Sequence, residues 1–392
     1  MPKHDTPSRY PIYMDHHATT PVDSRVLQEM LPYFTQCFGN AASIDHEYGG
    51  EAFQAVEIAR RQIAQLINAK YPDEIIFTSG ATEADNLAAL GVAEQYVSKG
   101  QHIITCVTEH HAVLDPCNYL ESKGWQITYL PVDQYGLVDP DAVQRAITPQ
   151  TVLISIMAAN NEIGTIAPIA EIGRIARQHE VLFHTDATQA VGHIPIDVET
   201  MNIDMLSMSA HKFYGPKGIG VLYVRKRQPR VKLVSQMHGG GHERGIRSGT
   251  LNVPGIVGMS KAAEIAKHEL KAEGQRLREL RDYLWESIQA NIEHVQLNGH
   301  PNQRLPHNLN IYIPGVESRS LVIKLKHNVA LSTGSACTTT KVEPSLVILA
   351  LGFGEERAHS TLRFGLGRSN TESNVSFVIE HLAEMIQTLR RF

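Results

Sequence analysis

Val181-Leu182-Phe183-His184-Thr185-Asp186-Ala187-Thr188-Gln189 and, further along, Met205-Leu206-Ser207-Met208-Ser209-Ala210-His211-Lys212 share one pattern: a short, mostly apolar run that breaks into polar side chains. Apolar runs of this length, bounded by polar turns, read as strands buried on both faces. Five more lie around them, at 75–78, 102–107, 126–130, 152–158 and 219–224. Helical spacing occupies the gaps; in 51–69 the apolar residues Phe53, Val56, Ala59, Ile63, Leu66 and Ile67 recur along one face. Seven strands separated by helices predict an α/β domain, a mostly parallel sheet between two helical layers.

The texture changes after Gly255. A long helical stretch, 255–293, is charged in its middle. Strand-like segments at 307–313, 329–332 and 361–364 then alternate with helices near 320–325 and 345–351, and an amphipathic helix closes the chain at 372–390. Short strands with helices on one side describe a smaller α+β C-terminal domain. The expected division is a large domain over 15–258 and a small one made of 1–14 and 259–392.

Composition narrows the function. The 392 residues carry 36 Lys plus Arg against 41 Asp plus Glu, a net charge of −5. That balance argues against direct nucleic-acid binding by bulk phosphate attraction. With 42% hydrophobic and 20% charged residues the chain is globular. No apolar stretch reaches the ~18 residues of a membrane span, and the first ten residues lack the apolar core of a secretory signal, so a soluble cytoplasmic protein is expected. Four cysteines (Cys37, Cys106, Cys117 and Cys337), none in CxxC, argue against a disulfide scaffold and a zinc ribbon.

In open α/β sheets ligands sit at the carboxyl ends of the strands. Those ends carry Thr78-Ser79-Gly80-Ala81-Thr82-Glu83, Thr108-Glu109-His110-His111, Asn160-Asn161-Glu162, Asp186 to Gln189, and Ser209 to Lys212. Singly, each is more often a helix cap or a solvated loop residue. Together they form the set that pyridoxal phosphate requires. Lys212 can form the Schiff base, and Asp186 can keep the pyridine nitrogen protonated. His110 can stack on the ring, and Asn161 or Gln189 can reach the phenolic oxygen. Ala81 and Thr82, with Ser209 and His211, can hold the phosphate at a helix start.

Two further loops stand out. Gly239-Gly240-Gly241-His242-Glu243-Arg244-Gly245 leads to Arg247-Ser248-Gly249-Thr250, and it lacks the spacing of a dinucleotide site. Ser332-Thr333-Gly334-Ser335-Ala336-Cys337-Thr338-Thr339-Thr340 is small and polar, which suits an exposed, nucleophilic cysteine. The basic run Arg225-Lys226-Arg227 with Arg230 reads as a solvated edge, with docking of a partner as the alternative.

These motifs, together with Asp15, Ala18-Thr19-Thr20-Pro21, Tyr214-Gly215-Pro216-Lys217-Gly218 and Arg363-Phe364, closely resemble the cysteine desulfurases of the iron–sulfur-cluster and nitrogen-fixation branch, in order and spacing from about Tyr13 to Arg368. The resemblance implies a type I aminotransferase-like fold in a pyridoxal-phosphate-dependent homodimer. It makes Lys212 the Schiff-base lysine, Asp186 the pyridinium partner and His110 the stacked acid–base residue. Thr250 would reach the phosphate of the neighbouring subunit's cofactor. Arg363 with Asn161 would bind the carboxylate of L-cysteine, and Cys337 would take its sulfur as a persulfide, releasing L-alanine. A sulfur-acceptor protein, a cluster scaffold or a sulfur carrier, would dock near the Cys337 loop. Iron–sulfur ligation by Cys337 would be transient, since one cysteine cannot hold a cluster alone. His16-His17 stand where relatives vary and carry no assigned role. A selenocysteine lyase or a β-lyase, in which Cys337 is dispensable, and a catalytically silent scaffold are the other readings.

Overall fold

The computed structural model describes residues 10–334 and 344–391. Along the chain the strands are β1 (Ile12–Tyr13), β2 (Ile75–Thr78), β3 (His102–Cys106), β4 (Gln126–Leu130), β5 (Thr151–Ser155), β6 (Leu182–Asp186), β7 (Met205–Ser209), β8 (Gly220–Val224), β9 (Gln296–Leu297), β10 (Asn308–Tyr312), β11 (Val329–Ala330) and β12 (Thr361–Gly365). Seven of them form the central sheet in the order β2-β8-β7-β6-β5-β3-β4. Only β8 runs against the rest, pairing antiparallel with both β2 and β7. The carboxyl ends of the other six strands therefore lie along one edge, as the sequence predicts.

Alternation within the strands explains why the sheet is covered twice. Ile75, Phe77, Leu206 and Met208 belong to one apolar core, and Ile76, Met205 and Leu222 to another. Successive side chains point to opposite faces, so a strand apolar at every position needs a helical layer on each side. The helix Glu47–Leu66 closes the first face, and the helices Ala81–Tyr96 and His111–Glu121 close the second. The first of these begins earlier than the expected 51–69 because His46 caps it, its ring accepting from Gly49 N–H at 3.1 Å. Gly49 is required there, since a Cβ would lie 1.8 Å from the carbonyl oxygen of Ser43.

One helix, Val253–Asn291, runs 39 residues without a break across the expected boundary at 258/259. Asn252 caps its start by accepting from Gly255 N–H at 3.1 Å. Its first half (Val253, Ile256, Met259, Ala263) packs in the large core. Leu277, Leu280, Leu284 and Ile288, farther along, pack in a separate core with Phe364 and Ile311. That second core is built on a three-stranded antiparallel sheet, β12-β10-β9, and the helices Ser318–Leu325 and Glu372–Leu389. β1 pairs in parallel with β11, so the chain enters through the small unit before building the large one. Among the described residues no helix is long and apolar enough to cross a membrane, and no group of three or more His, Cys, Asp or Glu is placed to hold a metal ion.

Candidate active site

The strand ends converge on a cleft of about 460 Å³ bordered by Ala81, Thr82, His110, Asn161, Asp186, Gln189, Ser209, His211, Lys212 and Arg363. Each side chain arrives by a short local device. β7 ends at Ser209 and tightens into the 3₁₀ turn Ala210–Lys212, which turns Lys212 back towards the sheet edge. The Lys212 ammonium donates to the carbonyl oxygens of His17 at 2.7 Å and Ala18 at 2.9 Å. Asp186 is the last residue of β6 and is buried; one of its oxygens accepts from Thr188 N–H at 2.9 Å. β2 runs into Ser79-Gly80, and the helix Ala81–Tyr96 starts there with no side-chain cap. An uncapped helix start offers N–H groups and a positive dipole end to an anion.

His110 caps the helix His111–Glu121, its Nδ1 accepting from Ala112 N–H at 3.1 Å. With Nδ1 as the acceptor, the neutral ring carries its proton on Nε2. Burial lowers the His110 pKa, with Lys212 acting in the same direction and Asp186 opposing, so the ring is neutral at pH 7. His211, whose Nδ1 lies 3.1 Å from Thr19 Oγ1, is lowered to about 4 by burial and by the nearby Lys212 and Lys217. Arg363 is buried; one guanidinium nitrogen donates to Asp15 at 2.9 Å, another donates to the Asn161 carbonyl oxygen at 2.9 Å, and among the described residues its Nε has no partner. A buried arginine with an unsatisfied donor suits an incoming carboxylate.

Three acids here are buried: Asp186 and Asp85, which line the cleft, and Glu109, which does not. Glu109 accepts from Met157 N–H at 2.7 Å, and the Asp85 carboxylate faces Ser207 and His184. Burial raises Asp85 and Glu109 well above the ordinary carboxyl range, and the Asp186 charge adds to both shifts. His184 on β6 stands 3.6 Å from Asp85 and bridges Ser155 at 2.8 Å to Ser207 at 3.0 Å.

Ten of the expected site residues therefore share the cleft. Thr250 does not line it and is exposed on the glycine-rich loop, and Cys337 lies outside the described residues. The sequence reading missed Asp85, a charged residue inside an otherwise small and apolar helix face (Ala84, Leu87, Ala88), and also His17. His16 and His17 are both buried. Nor is Arg225 a solvated edge residue: it is buried, pairs with Glu199 at 3.0 Å and lies 3.3 Å from Asp204, while Lys226 pairs with Asp73. The glycine-rich loop is anchored from below, where Glu243 receives both terminal nitrogens of Arg60 at 2.8 Å and Phe77 N–H at 2.8 Å.

A family model described as aminotransferase class-V matches residues 12–378. The cysteine desulfurase IscS of Anaeromyxobacter dehalogenans (strain 2CP-C) is 54% identical over 382 residues, 97% of this chain and 94% of its own. The protein of the same name from Methylococcus capsulatus is 53% identical, again over 97% of this chain and 94% of its own. Among solved structures, a NifS-like protein superposes with a TM-score of 0.90 at 37% identity, covering 96% of this chain and all of its own. SspA, solved in complex with cysteine, gives a TM-score of 0.81 at 39% identity over 91% of this chain and 98% of its own. Fold, order of motifs and extent of the match all lead to one assignment: this chain belongs to the class-V aminotransferases.

Proposed function

We propose that this protein is a pyridoxal-phosphate-dependent cysteine desulfurase, which converts L-cysteine to L-alanine and leaves the sulfur as a persulfide on Cys337. The observation that carries this reading is the convergence of an amine (Lys212), a buried carboxylate (Asp186), a neutral imidazole (His110) and an uncapped helix start on one cleft. Its relatives are named for the same activity, and one structural neighbour was solved with cysteine.

The cleft suits the cofactor. Ala81 and Thr82, with Ser209 and His211, would hold the phosphate, Asp186 the pyridine nitrogen and Gln189 the phenolic oxygen, with His110 over the ring. Bound there, pyridoxal phosphate would supply an electron sink that acidifies the Cα–H of an amino acid whose amine has displaced Lys212, leaving the lysine amine free to act as a base. Arg363 would release Asp15 to take the substrate carboxylate, with Asn161 beside it. Lys212 removes the Cα proton, and His110, which carries its proton on Nε2, acts as a proton donor at that atom. The Cys337 thiolate attacks the substrate sulfur; an S–S bond forms, the C–S bond breaks, and its electron pair stays with carbon, which is protonated to give alanine. The balance is cysteine plus a Cys337 thiol giving alanine plus a Cys337 persulfide. An acceptor thiol, on a cluster scaffold or a sulfur carrier, then discharges it.

The same reading includes a homodimer. Leu27, Leu31, Phe34, Phe38, Ile44 and Tyr48 are large apolar side chains exposed within one short stretch, more than a lone chain needs to leave in water. Thr250, exposed on its anchored loop, would then reach the second subunit's phosphate. A cytoplasmic setting completes it, since persulfide chemistry needs reduced thiols. The test is an absorbance spectrum of protein loaded with pyridoxal phosphate, taken before and after addition of L-cysteine, with alanine assayed in the same sample. A visible band that shifts as alanine appears supports the reading, and absence of a band after loading overturns it. Lys212→Ala must lose the lysine-linked band. Cys337→Ala must keep the band and its response to cysteine but lose catalytic sulfur release; full turnover by that variant returns the assignment to a β-lyase.

A further inference from the structure

His17 makes more contacts with the cleft residues than its place in a variable dipeptide suggests. Its carbonyl oxygen accepts from Lys212 Nζ at 2.7 Å and from Gln189 Nε2 at 3.0 Å. Its Nδ1 lies 2.9 Å from Gln189 Oε1, and its Nε2 lies 3.0 Å from Asn308 Nδ2. The ring stacks on His307 with centroids 4.4 Å apart, and His307 stacks on His193 at 4.0 Å. His193 Nε2 in turn lies 2.9 Å from the Lys212 carbonyl oxygen. His17 is thus joined to both Gln189 and Lys212 and, through Asn308 and His307, to the small unit.

The donor and acceptor roles along this chain follow from its far end. Arginine has only donors. Arg304 donates to Asn308 Oδ1 at 3.1 Å, so that atom is the amide oxygen. The other amide atom of Asn308 also faces the Glu162 carbonyl oxygen at 3.0 Å, which can only accept, so it is the NH₂ group. A donor therefore points at His17 Nε2, which must be the bare nitrogen, and the proton sits on Nδ1. Burial holds the His17 pKa well below the usual histidine range, and the nearby Arg363, His193 and Lys212 charges act the same way while the Gln189 hydrogen bond opposes, so a single neutral tautomer persists. Nδ1–H then requires an oxygen from Gln189, and the His17 carbonyl requires its NH₂. Both ends of the Gln189 amide are fixed by one residue. Among the described residues the second N–H of Gln189 has no partner, and Gln189 lines the cleft.

We propose that His17 is a positioning residue: its Nδ1–H tautomer, imposed by Arg304 and Asn308, locks the Gln189 amide so that an N–H, and not the carbonyl, is left for the phenolic oxygen of the cofactor. The inference rests on the preceding reading of the cleft. A flipped amide would set oxygen against oxygen, which weakens cofactor retention and disfavours the ionised phenol.

Two measurements separate the proposal from that reading. In the cofactor-free protein with ¹⁵N-labelled histidine, two-bond ¹H–¹⁵N spectra report the tautomer directly, and His17 is expected to show a protonated Nδ1. A protonated Nε2 overturns the proposal whatever the cofactor does. In protein loaded with pyridoxal phosphate, His17→Phe keeps the ring stack and removes the donor. Its visible band is expected to titrate about one pH unit higher than wild type, with about tenfold faster loss of the cofactor. Asn308→Asp leaves His17 and Gln189 in place but puts an acceptor opposite Nε2, and is expected to reverse the tautomer and move the band in the same direction. If wild type takes up no pyridoxal phosphate, the reading of the cleft fails while the tautomer result stands. If wild type loads and His17→Phe titrates and releases cofactor as wild type does, the positioning role fails.

Discussion

Replacing Arg60 by methionine tests how the glycine-rich loop is held. The Arg60 and Glu243 side chains are 4% and 2% exposed, and the two terminal nitrogens of the guanidinium meet the two carboxylate oxygens at 2.8 Å. Glu243 sits at φ 48° and Arg244 at φ 59°, left-handed conformations that non-glycine residues adopt only when their surroundings enforce them. Methionine fills the stem of the arginine but leaves Glu243 as a buried charge with Phe77 N–H as its remaining hydrogen bond. Breaking a buried pair from one side costs about 3–5 kcal/mol. An unfolding entropy of about 2.1 cal/mol/K per residue gives about 0.8 kcal/mol/K for this chain, so the melting midpoint should fall by about 4–6 °C. The double variant Arg60→Met/Glu243→Gln removes the stranded charge and should recover most of that loss. Differential scanning calorimetry at pH 7.5 decides the matter. A single variant that melts within a degree of wild type, or a double variant no more stable than the single, would show that the pair does not hold the loop.

Buried histidines make stability depend on acidity. Burial lowers His184 and His193 to about 4, and holds His17 and His307 well below the usual histidine value. A depressed histidine contributes stability that is present above its unfolded pKa and is lost as pH falls towards the folded one, so urea stability should drop steeply between about pH 6.5 and 4. Each such group contributes about 1.4 kcal/mol per pH unit in that window; equal urea midpoints at pH 7 and 5 would contradict this. Asp85 has the opposite sign. Its raised pKa costs stability as pH rises above the unfolded value, so Asp85→Asn should be about 1–3 kcal/mol more stable than wild type at pH 7, with the gain vanishing near pH 4. An unstable variant at pH 7 would mean the carboxylate is needed ionised. Gly164, at φ 73°, leaves room for no side chain: a Cβ would lie 2.4 Å from Asn308 Oδ1. Gly164→Ala should therefore cost at least about 2 kcal/mol and loosen cofactor binding through Asn308 and His17, and a fully stable variant that retains its cofactor would refute that link.

Much of the site was legible because each polar cluster follows an apolar strand directly. Asp186 and Ser209 sit at strand ends that any reading of Leu182–Asp186 and Met205–Ser209 must place along one edge. What escaped depends on contacts between distant segments. His17 meets Gln189 and Asn308, residues 172 and 291 positions away, and nothing in a His-His dipeptide announces either partner. Arg225 looks like part of a basic surface run, yet Glu199 and Asp204 neutralise it from another segment. Asp85 was readable in principle, as a charge on a helix face that otherwise faces the sheet. The expected boundary at 258/259 follows a change of texture, but the backbone has no break there, because apolar residues continue at helical spacing into the second core.

That uninterrupted helix governs how the molecule can come apart. At 1.5 Å per residue its 39 residues form a rod about 58 Å long, embedded at each end in a different core. Neither core can melt without stripping its half of the rod, and a frayed half weakens the helix in the other. The large and small units should consequently denature in one transition, with no separable fragment released by limited proteolysis between them, and the cleft that both of them border should keep its dimensions until the whole chain gives way.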